Sequence, residues 1–452
     1  MFNSTVIILA AGEGKRMKTK TAKVLNKVCF KPMIEYIVRA AEEITSEKPV
    51  LVIGHKAEEI KEYLGDRADY ALQEEQLGTG HAVMSAMEFV ENNNSDTVVV
   101  LNGDMPQITA DTLKSAIAHH ETEGFGVTVV GASFENPTGY GRLVTKEGKL
   151  LKIVEHKDCT GEELEIKEIN AGIYLFNAKE LREALPKLKN NNSQNEYYLT
   201  DTIELIGNAG AYIVEDKNEV AGCNTKVELA EADRNMRLKI NRKLMEKGAV
   251  IINPECTYIE DSVEIGTDSV IYPNCVITGR TVIGEDCEVL EGSRIENSII
   301  ADGVSVKTST LLECEIGKGT TVGPYAYVRP QTKVGEKCRI GDFVELKKAI
   351  IGNGTKVSHL TYLGDAIIGE RVNFGCGTVA VNYDGVNKHQ TIIGNDAFIG
   401  CNANLVAPVT IGDNSFIAAG STITDEVPED AFAIARQRQT TKLGWKKPKD
   451  RK

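Results

Sequence analysis

The sequence has one tryptophan, twelve prolines and no long unbroken apolar run, and its ten cysteines never form a Cys-x-x-Cys pair. That spacing excludes a zinc ribbon and argues against a disulfide framework, leaving reduced, mostly buried thiols as the expectation. Basic residues are in the minority, 52 against 65 acidic for a formal net charge of -13. The balance excludes a general nucleic-acid or membrane-surface binder but leaves room for a local anion site. The opening stretch MFNSTVIILAAGEG is apolar over only a few residues and has no basic flank. It therefore predicts neither a signal peptide nor a transmembrane helix, and a cytoplasmic location is expected. At 452 residues, two or three domains are expected.

What the sequence does have is a six-residue recurrence of aliphatic side chains. One run is Ile259, Ile265, Ile271, Ile277, Ile283, Val289, Ile295; a second is Ile316, Val322, Val328, Val334, Ile340, Leu346; a third is Ile393, Ile399, Leu405, Ile411, Ile417, Ile423. Neither a 3.6-residue nor a two-residue period produces this pattern. Three hexapeptides make one triangular turn, so residues 249–428 read as a left-handed parallel β-helix with the aliphatic residues pointing inward, in a domain of residues 249–452 that ends in a C-terminal tail. About ten coils at strand spacing make a prism on the order of 48 Å long. Its interior has no room for a substrate, which puts any function on its outside. The period slips between Leu346 and Ile351 and between Leu363 and Ile368, and an insertion is expected around Ala380 to Gln390. Such interruptions are where a loop can leave the prism.

The first 225 residues follow a different rule. A short strand, Thr5 to Ala10, runs into Gly12-Glu13-Gly14-Lys15-Arg16, a glycine-rich turn in which backbone N–H groups and basic side chains can approach a phosphate. It is neither the dinucleotide fingerprint nor a P-loop. Strands at Val50–Gly54, Thr97–Leu101 and Gly126–Gly131 alternate with helical patterns at Ala57–Leu64 and Ala110–His120. This order predicts a mostly parallel, Rossmann-like sheet with its ligand at the carboxyl ends of the strands. Asp104 follows such an end, where a carboxylate suits Mg²⁺. Between the two regions, Thr225-Lys226-Val227-Glu228 has capping-box spacing and Gly248 is a natural stop, so residues 226–248 are expected to form a linker helix. Leu229, Met236, Ile240 and Leu244 share one face; Arg234, Arg237, Lys239 and Arg242 are expected in solvent.

Leu9-Ala10-Ala11-Gly12-Glu13-Gly14-Lys15-Arg16-Met17 followed by Lys23-Val24-Leu25 resembles the signature of sugar-1-phosphate nucleotidyltransferases. Gln73 to Ala82, Gly139-Tyr140-Gly141-Arg142, Glu155-His156-Lys157, Glu168-Ile169-Asn170 and Gly222-Cys223-Asn224 follow in order. With the hexapeptides, nearly the whole chain resembles the bifunctional N-acetylglucosamine-1-phosphate uridyltransferase/glucosamine-1-phosphate acetyltransferase family. The resemblance implies an α/β nucleotidyltransferase domain joined by a long helix to the β-helix, acting on UTP, acetyl-CoA and glucosamine 1-phosphate with Mg²⁺, and assembled as a homotrimer.

In the first domain the resemblance implies that Arg16 and Lys23 supply positive charge to the phosphates and that Asp104 and Asn224 hold Mg²⁺. Leu9, Ala10, Ala11, Gly12, Gln73, Gln76, Gly78 and Thr79 would bind the nucleotide; Gly141, Glu155 and Asn170 would bind the acetylated sugar. Ala22 stands where the family usually has proline, from which a more flexible presentation of Lys23 is expected. In the second domain it implies His359 as general base, with Glu345 orienting or polarising the site. Arg329 and Lys347 would bind the sugar phosphate and Tyr362 and Asn373 the sugar, with Lys388 reaching the sugar phosphate from an adjoining subunit. Asn382-Tyr383, Cys376, Cys401, Ala419 and Arg436 would meet the acetyl group and coenzyme A. Cys376 and Cys401 replace the family's usual alanine and serine. Three other readings stand beside it: a nucleotidyltransferase whose β-helix serves assembly or regulation, a non-catalytic assembly or exchange-factor subunit, and a zinc-dependent carbonic anhydrase. The last lacks its three histidines, since the β-helix has only His359 and His389.

Overall fold

The computed structural model describes residues 1–192 and 194–445. The basic tail from Lys446 to Lys452 lies outside the described residues. The chain divides into two compact units, residues 1–236 and 237–452.

The strand Ser4–Leu9 lies at the middle of the first unit's sheet, and its side chains explain why. Val6 and Ile8 belong to one apolar cluster and Ile7 to another. Both faces are therefore buried, as a central parallel strand with a continuous apolar run requires. The order across the sheet is Ala209–Ile213, Val127–Ser133, Glu168–Asn177, Thr97–Asn102, Ser4–Leu9, Val50–Ile53, Asp69–Leu72. All are parallel except Glu168–Asn177, which runs antiparallel between two neighbours and slips register between Asn170 and Ile173. The hairpin Arg142–Lys146 and Lys149–Val154 joins through Ile169 and Arg142. Leu9 and Asn102 are register partners, so the loops after these two strands emerge side by side.

The second unit is a left-handed parallel β-helix whose three sheets have 11, 10 and 9 strands among the described residues. Residues of all three aliphatic runs lie inward in one continuous core. At the first slip the ladder stays in register and no loop departs: Leu346 pairs with Leu363, and Ile351 with Ile368. The corner is shortened by one residue and closed by Lys348 and Asp365 in the left-handed region, at φ of 48° and 50°. The insertion, too, starts later than expected. Ala380 is buried and pairs with Leu405, so the projecting segment is 382–390, a small hairpin closed by a Tyr383–Lys388 bridge. The pattern missed Ala380 because alanine fills the inward position with too little side chain to register as aliphatic.

The connecting helix runs from Lys226 to Glu246. Its capping box forms: Glu228 N donates to Thr225 Oγ1 at 3.2 Å, and Thr225 N to Glu228 Oε2 at 2.9 Å. Arg237 departs from the expected solvent face. It is buried, its guanidinium 4.4 Å from the centre of the Tyr258 ring, because a planar cation can stack where an ammonium would stay hydrated.

Candidate functional sites

In the first unit, Lys23 is the point on which the side chains converge. Its ammonium donates to Asp104 Oδ2 and, at 2.8 Å, to Asn224 Oδ1, which also accepts from Arg16 Nη2 at 3.0 Å. Residues far apart in sequence meet because Lys23 follows the first strand's glycine turn, Asp104 follows the strand Thr97–Asn102, and Asn224 precedes the connecting helix. Glu228 fixes Asn224, taking its N–H at 2.6 Å. Gly14 sits at φ 65°, and a Cβ there would fall 2.8 Å from that of Lys23, so glycine lets the lysine stem lie against the turn. Asp104 and Asn224 thus offer two hard oxygens directed at one cation. That donor set fits Mg²⁺, which takes few protein ligands and keeps several waters.

Beside this cluster lies a cleft with two lobes of about 370 and 410 Å³, sharing Leu9, Asn102, Gly139, Glu155, Asn170 and Gly172. Ala10, Gly12 and Gly141 line the first lobe and Thr79 the second. Asn170 is held at the irregularity in its strand, accepting from Gly172 N at 2.8 Å and donating to Tyr174 Oη at 2.9 Å. Burial, followed by the nearby Asp158 charge, pushes the Glu155 carboxyl above its ordinary value. Gln73 is buried; its amide donates to Gly78 O at 3.1 Å and lies 3.2 Å from His81 Nδ1. Gln76 donates to Ala11 O at 2.8 Å. These glutamines brace two backbone loops, Gln73 from a buried position and Gln76 from an exposed one. Asn102, which lines both lobes, was missed because a lone asparagine before Gly103-Asp104 reads as a turn residue.

Ala22 is not loose. It is buried at φ -54°, ψ 139°, and its N–H donates to Glu59 Oε2 at 2.8 Å. The flexibility expected from the missing proline is replaced by a hydrogen bond.

In the second unit the ladder does the gathering. Tyr327, Glu345, Tyr362 and Val379 follow one another in successive coils of one sheet, while Asp342 and His359 are partners in another. His359 Nδ1 and Asp342 Oδ1 are 2.5 Å apart. With the proton between them on Nδ1, Nε2 is the free acceptor. The histidine holds the Asp342 carboxyl below its ordinary value. The residue orienting His359 is thus Asp342. Glu345 is taken by Arg329 Nη1 at 2.8 Å instead.

A second cluster forms around Asp365, another residue the sequence reading passed over. Its Oδ2 lies 3.4 Å from Lys347 Nζ and accepts from Asn382 Nδ2 at 2.6 Å. Lys388 of the same chain neighbours Lys347, and this contact pushes the Lys388 ammonium below its ordinary value and raises that of Lys347. Tyr362 Oη joins them across Gly364, where a Cβ would meet that oxygen and come 2.7 Å from Asn382 Nδ2. Neither aspartate could be found from its own surroundings, since each acquires its partner only when coils stack. Asn373 stands on the neighbouring sheet between Lys356 and Phe398. Cys376, Cys401 and Ala419 follow one edge: Asn402 N donates to Cys376 O and Gly420 N to Cys401 O, both at 2.8 Å. Arg436 lies 4.0 Å from the position of a Cβ on Gly420.

The hairpin 382–390 is tied to itself. Asp384 accepts from Val386 N at 2.8 Å and Asn387 N at 2.6 Å, and lies 2.7 Å from His389 Nε2. The Asn387 N–H, then His389 and the Val386 N–H, hold its carboxyl at about 2. A lowered pKa means that the tether is fully present above the ordinary value of 3.8 and is lost as pH falls toward about 2. Asp384→Ala is expected to lower hydrogen-exchange protection of residues 382–390 at neutral pH while leaving the rest of the β-helix protected; mass spectrometry of exchanged peptides checks this.

Residues 5–220 match the nucleotidyl transferase family, residues 313–348 and 390–425 the bacterial transferase hexapeptide repeats, and residues 248–329 the GMPPB C-terminal domain. A protein of Acetivibrio thermocellus named bifunctional protein GlmU is 53% identical, with 97% of this chain and 96% of that protein covered. A protein of the same name from Clostridium botulinum is 52% identical over 98% of both chains, and one from Clostridium kluyveri is 50% identical over 98% of both.

Proposed function

The chain belongs to the bifunctional GlmU family, and we propose that its two reactions are divided between the α/β cleft and the edge of the β-helix. It is an enzyme of UDP-N-acetylglucosamine synthesis. Acetyl-CoA acetylates glucosamine 1-phosphate, and N-acetylglucosamine 1-phosphate then takes a uridylyl group from UTP with release of pyrophosphate. The observation supporting the division is that the side chains form two separate constellations. One contains Lys23, Asp104 and Asn224; the other contains His359 and the Lys347–Asp365–Asn382 group. The working boundaries are residues 1–225 for uridylyl transfer, 226–248 for the linker and 249–452 for acetyl transfer.

In uridylyl transfer, a phosphate oxygen of the sugar substrate attacks the α-phosphorus of UTP in line with the departing pyrophosphate. The protein's task is positioning and charge neutralisation. Lys23 and Arg16 bring cationic groups to the phosphates, and Glu155, Asn170 and Gly141 line the sugar's end of the cleft. Asp104 and Asn224 hold Mg²⁺, which supplies further charge neutralisation when bound. The loops braced by Gln73 and Gln76 receive the base and nucleotide backbone.

In acetyl transfer, the substrate amine attacks the thioester carbonyl, its proton passes to His359 Nε2, and the carbon–sulfur bond breaks to expel the coenzyme thiolate, which takes that proton back from the imidazolium and leaves as the thiol. Asp342 keeps the imidazole in the receiving tautomer and offsets the charge it acquires. The Asn382–Tyr383 backbone stabilises the developing oxyanion. Arg329, Lys347, Lys388 and Tyr362 engage the sugar phosphate, while Ala419 and Arg436 meet coenzyme A.

Among the described residues the interior of the β-helix is filled by one continuous apolar core, so its sites lie on the outside and need an outer wall. A homotrimer supplies one, with neighbouring prisms enclosing the edge. Among the described residues no helix is long and apolar enough to cross a membrane. All ten cysteines are free, in keeping with a cytoplasmic location where thiols stay reduced.

His359→Ala is expected to lower acetyl transfer by about 10² to 10⁴ and spare uridylyl transfer, with Asp104→Ala doing the reverse. A coupled assay reading free thiol and pyrophosphate separately checks both; parallel loss of both activities in folded protein would sink the division. Asp104→Asn should raise the Mg²⁺ concentration needed for half-maximal pyrophosphate release, as a titration of initial rates will show. Sedimentation equilibrium of the purified enzyme is expected to give three times the chain mass.

A further inference from the structure

Lys23 has a fixed destination, and its backbone is fixed as well. Its carbonyl accepts from Asn26 Nδ2 at 2.8 Å, and the residue before it, Ala22, is pinned through its N–H by Glu59 at 2.8 Å. Glu59 belongs to the first turn of the helix Ala57–Leu64. Lys56, just before that helix, donates to Lys20 O and lies 3.7 Å from Glu59. One short helix end therefore grips the loop at two points before it delivers Lys23. The Glu59 side chain is 41% exposed, whereas that of Lys23 is 13% exposed. A surface carboxylate thus controls a sheltered ammonium through one backbone N–H.

We infer that Glu59 is a positioning residue for uridylyl transfer, holding Ala22 so that the Lys23 ammonium meets the phosphates in register. This rests on the reading that Lys23 acts there. Without Glu59, the N–H of a buried residue loses a charge-assisted partner, and the loop gains freedom next to the lysine. The lost precision falls on a group needed most as charge redistributes, so it reduces turnover more than substrate affinity. Ala22 offers an independent check. At φ -54° it already has the geometry of proline, and proline fixes φ while having no N–H to satisfy. Proline there makes the carboxylate unnecessary.

The test uses the full-length enzyme with both activities assayed. Glu59→Ala is expected to lower kcat for pyrophosphate release about tenfold with little change in KM for UTP and unchanged acetyl transfer. Glu59→Gln, which keeps an acceptor oxygen, retains most of the rate. Ala22→Pro combined with Glu59→Ala restores kcat to within about twofold of wild type. A wild-type rate in Glu59→Ala overturns the inference, and so does a loss in that variant that neither Gln nor Ala22→Pro repairs. Lys23→Ala separates the premise from the inference: full uridylyl transfer in that variant overturns the role of Lys23 itself, whereas its loss beside an unaffected Glu59→Ala overturns only the role of Glu59.

Discussion

Parallel register between coils is the constraint on which the second unit depends. An inward aliphatic residue on each side of the triangle fixes how far the chain travels before it returns, and the return sets what neighbours what. Arg329 meets Glu345 after 16 residues, His359 meets Asp342 after 17 and Lys347 meets Asp365 after 18. Each pair is held at strand spacing by apolar residues that take no part in chemistry. The site inherits its rigidity from the core, since a one-residue slip would turn the outward groups inward.

The insertion shows how that constraint is relaxed without being lost. Beyond Val381 the chain leaves, forms a hairpin braced by Asp384, and rejoins at Thr391–Ile393 in register with Ala366–Ile368. Coil partners there are 25 residues apart, as Arg371 and Asp396 are. The extra residues put Lys388 beside Lys347 while leaving the inward ladder intact. Variation is confined to the corners, where backbone polar groups reach solvent or one another.

What was legible in the sequence follows from the same physics. The β-helix could be read because its period is imposed on every coil, and the first unit's strands Ser4–Leu9, Val50–Ile53, Thr97–Asn102 and Val127–Ser133 could be read because burial on both faces leaves continuous apolar runs, whereas the other five strands of that sheet gave no such signal. Antiparallel placement of Glu168–Asn177 could not, since strand direction depends on what the chain does between strands. Asp342 and Asp365 escaped notice for a related reason: a carboxylate beside a positive-φ corner looks like a turn residue until the next coil brings its histidine or lysine. Glu345 is expected from the resemblance to orient or polarise the site; register pairs it with Tyr362 and its carboxylate accepts from Arg329. Arg237 misled in the opposite direction, because its charge hid a flat surface able to stack on Tyr258.

The two proposed anion sites prepare positive charge in opposite ways. In the first unit Lys23 is neutralised in advance by Asp104, and Asn224 accepts from both Lys23 and Arg16, so the proposed metal ion and phosphates would have to rearrange a satisfied network. Binding there exchanges one set of partners for another, which favours dependence on the geometry of all the participants. In the second unit Lys347 and Lys388 adjoin, with Asp365 as the nearby carboxylate, and the hydrogen-bonding contact with Lys347, then its charge, holds the Lys388 ammonium below its ordinary value. An arriving phosphate adds opposite charge beside two adjoining cations, which favours their charged forms, although Lys347 already faces Asp365.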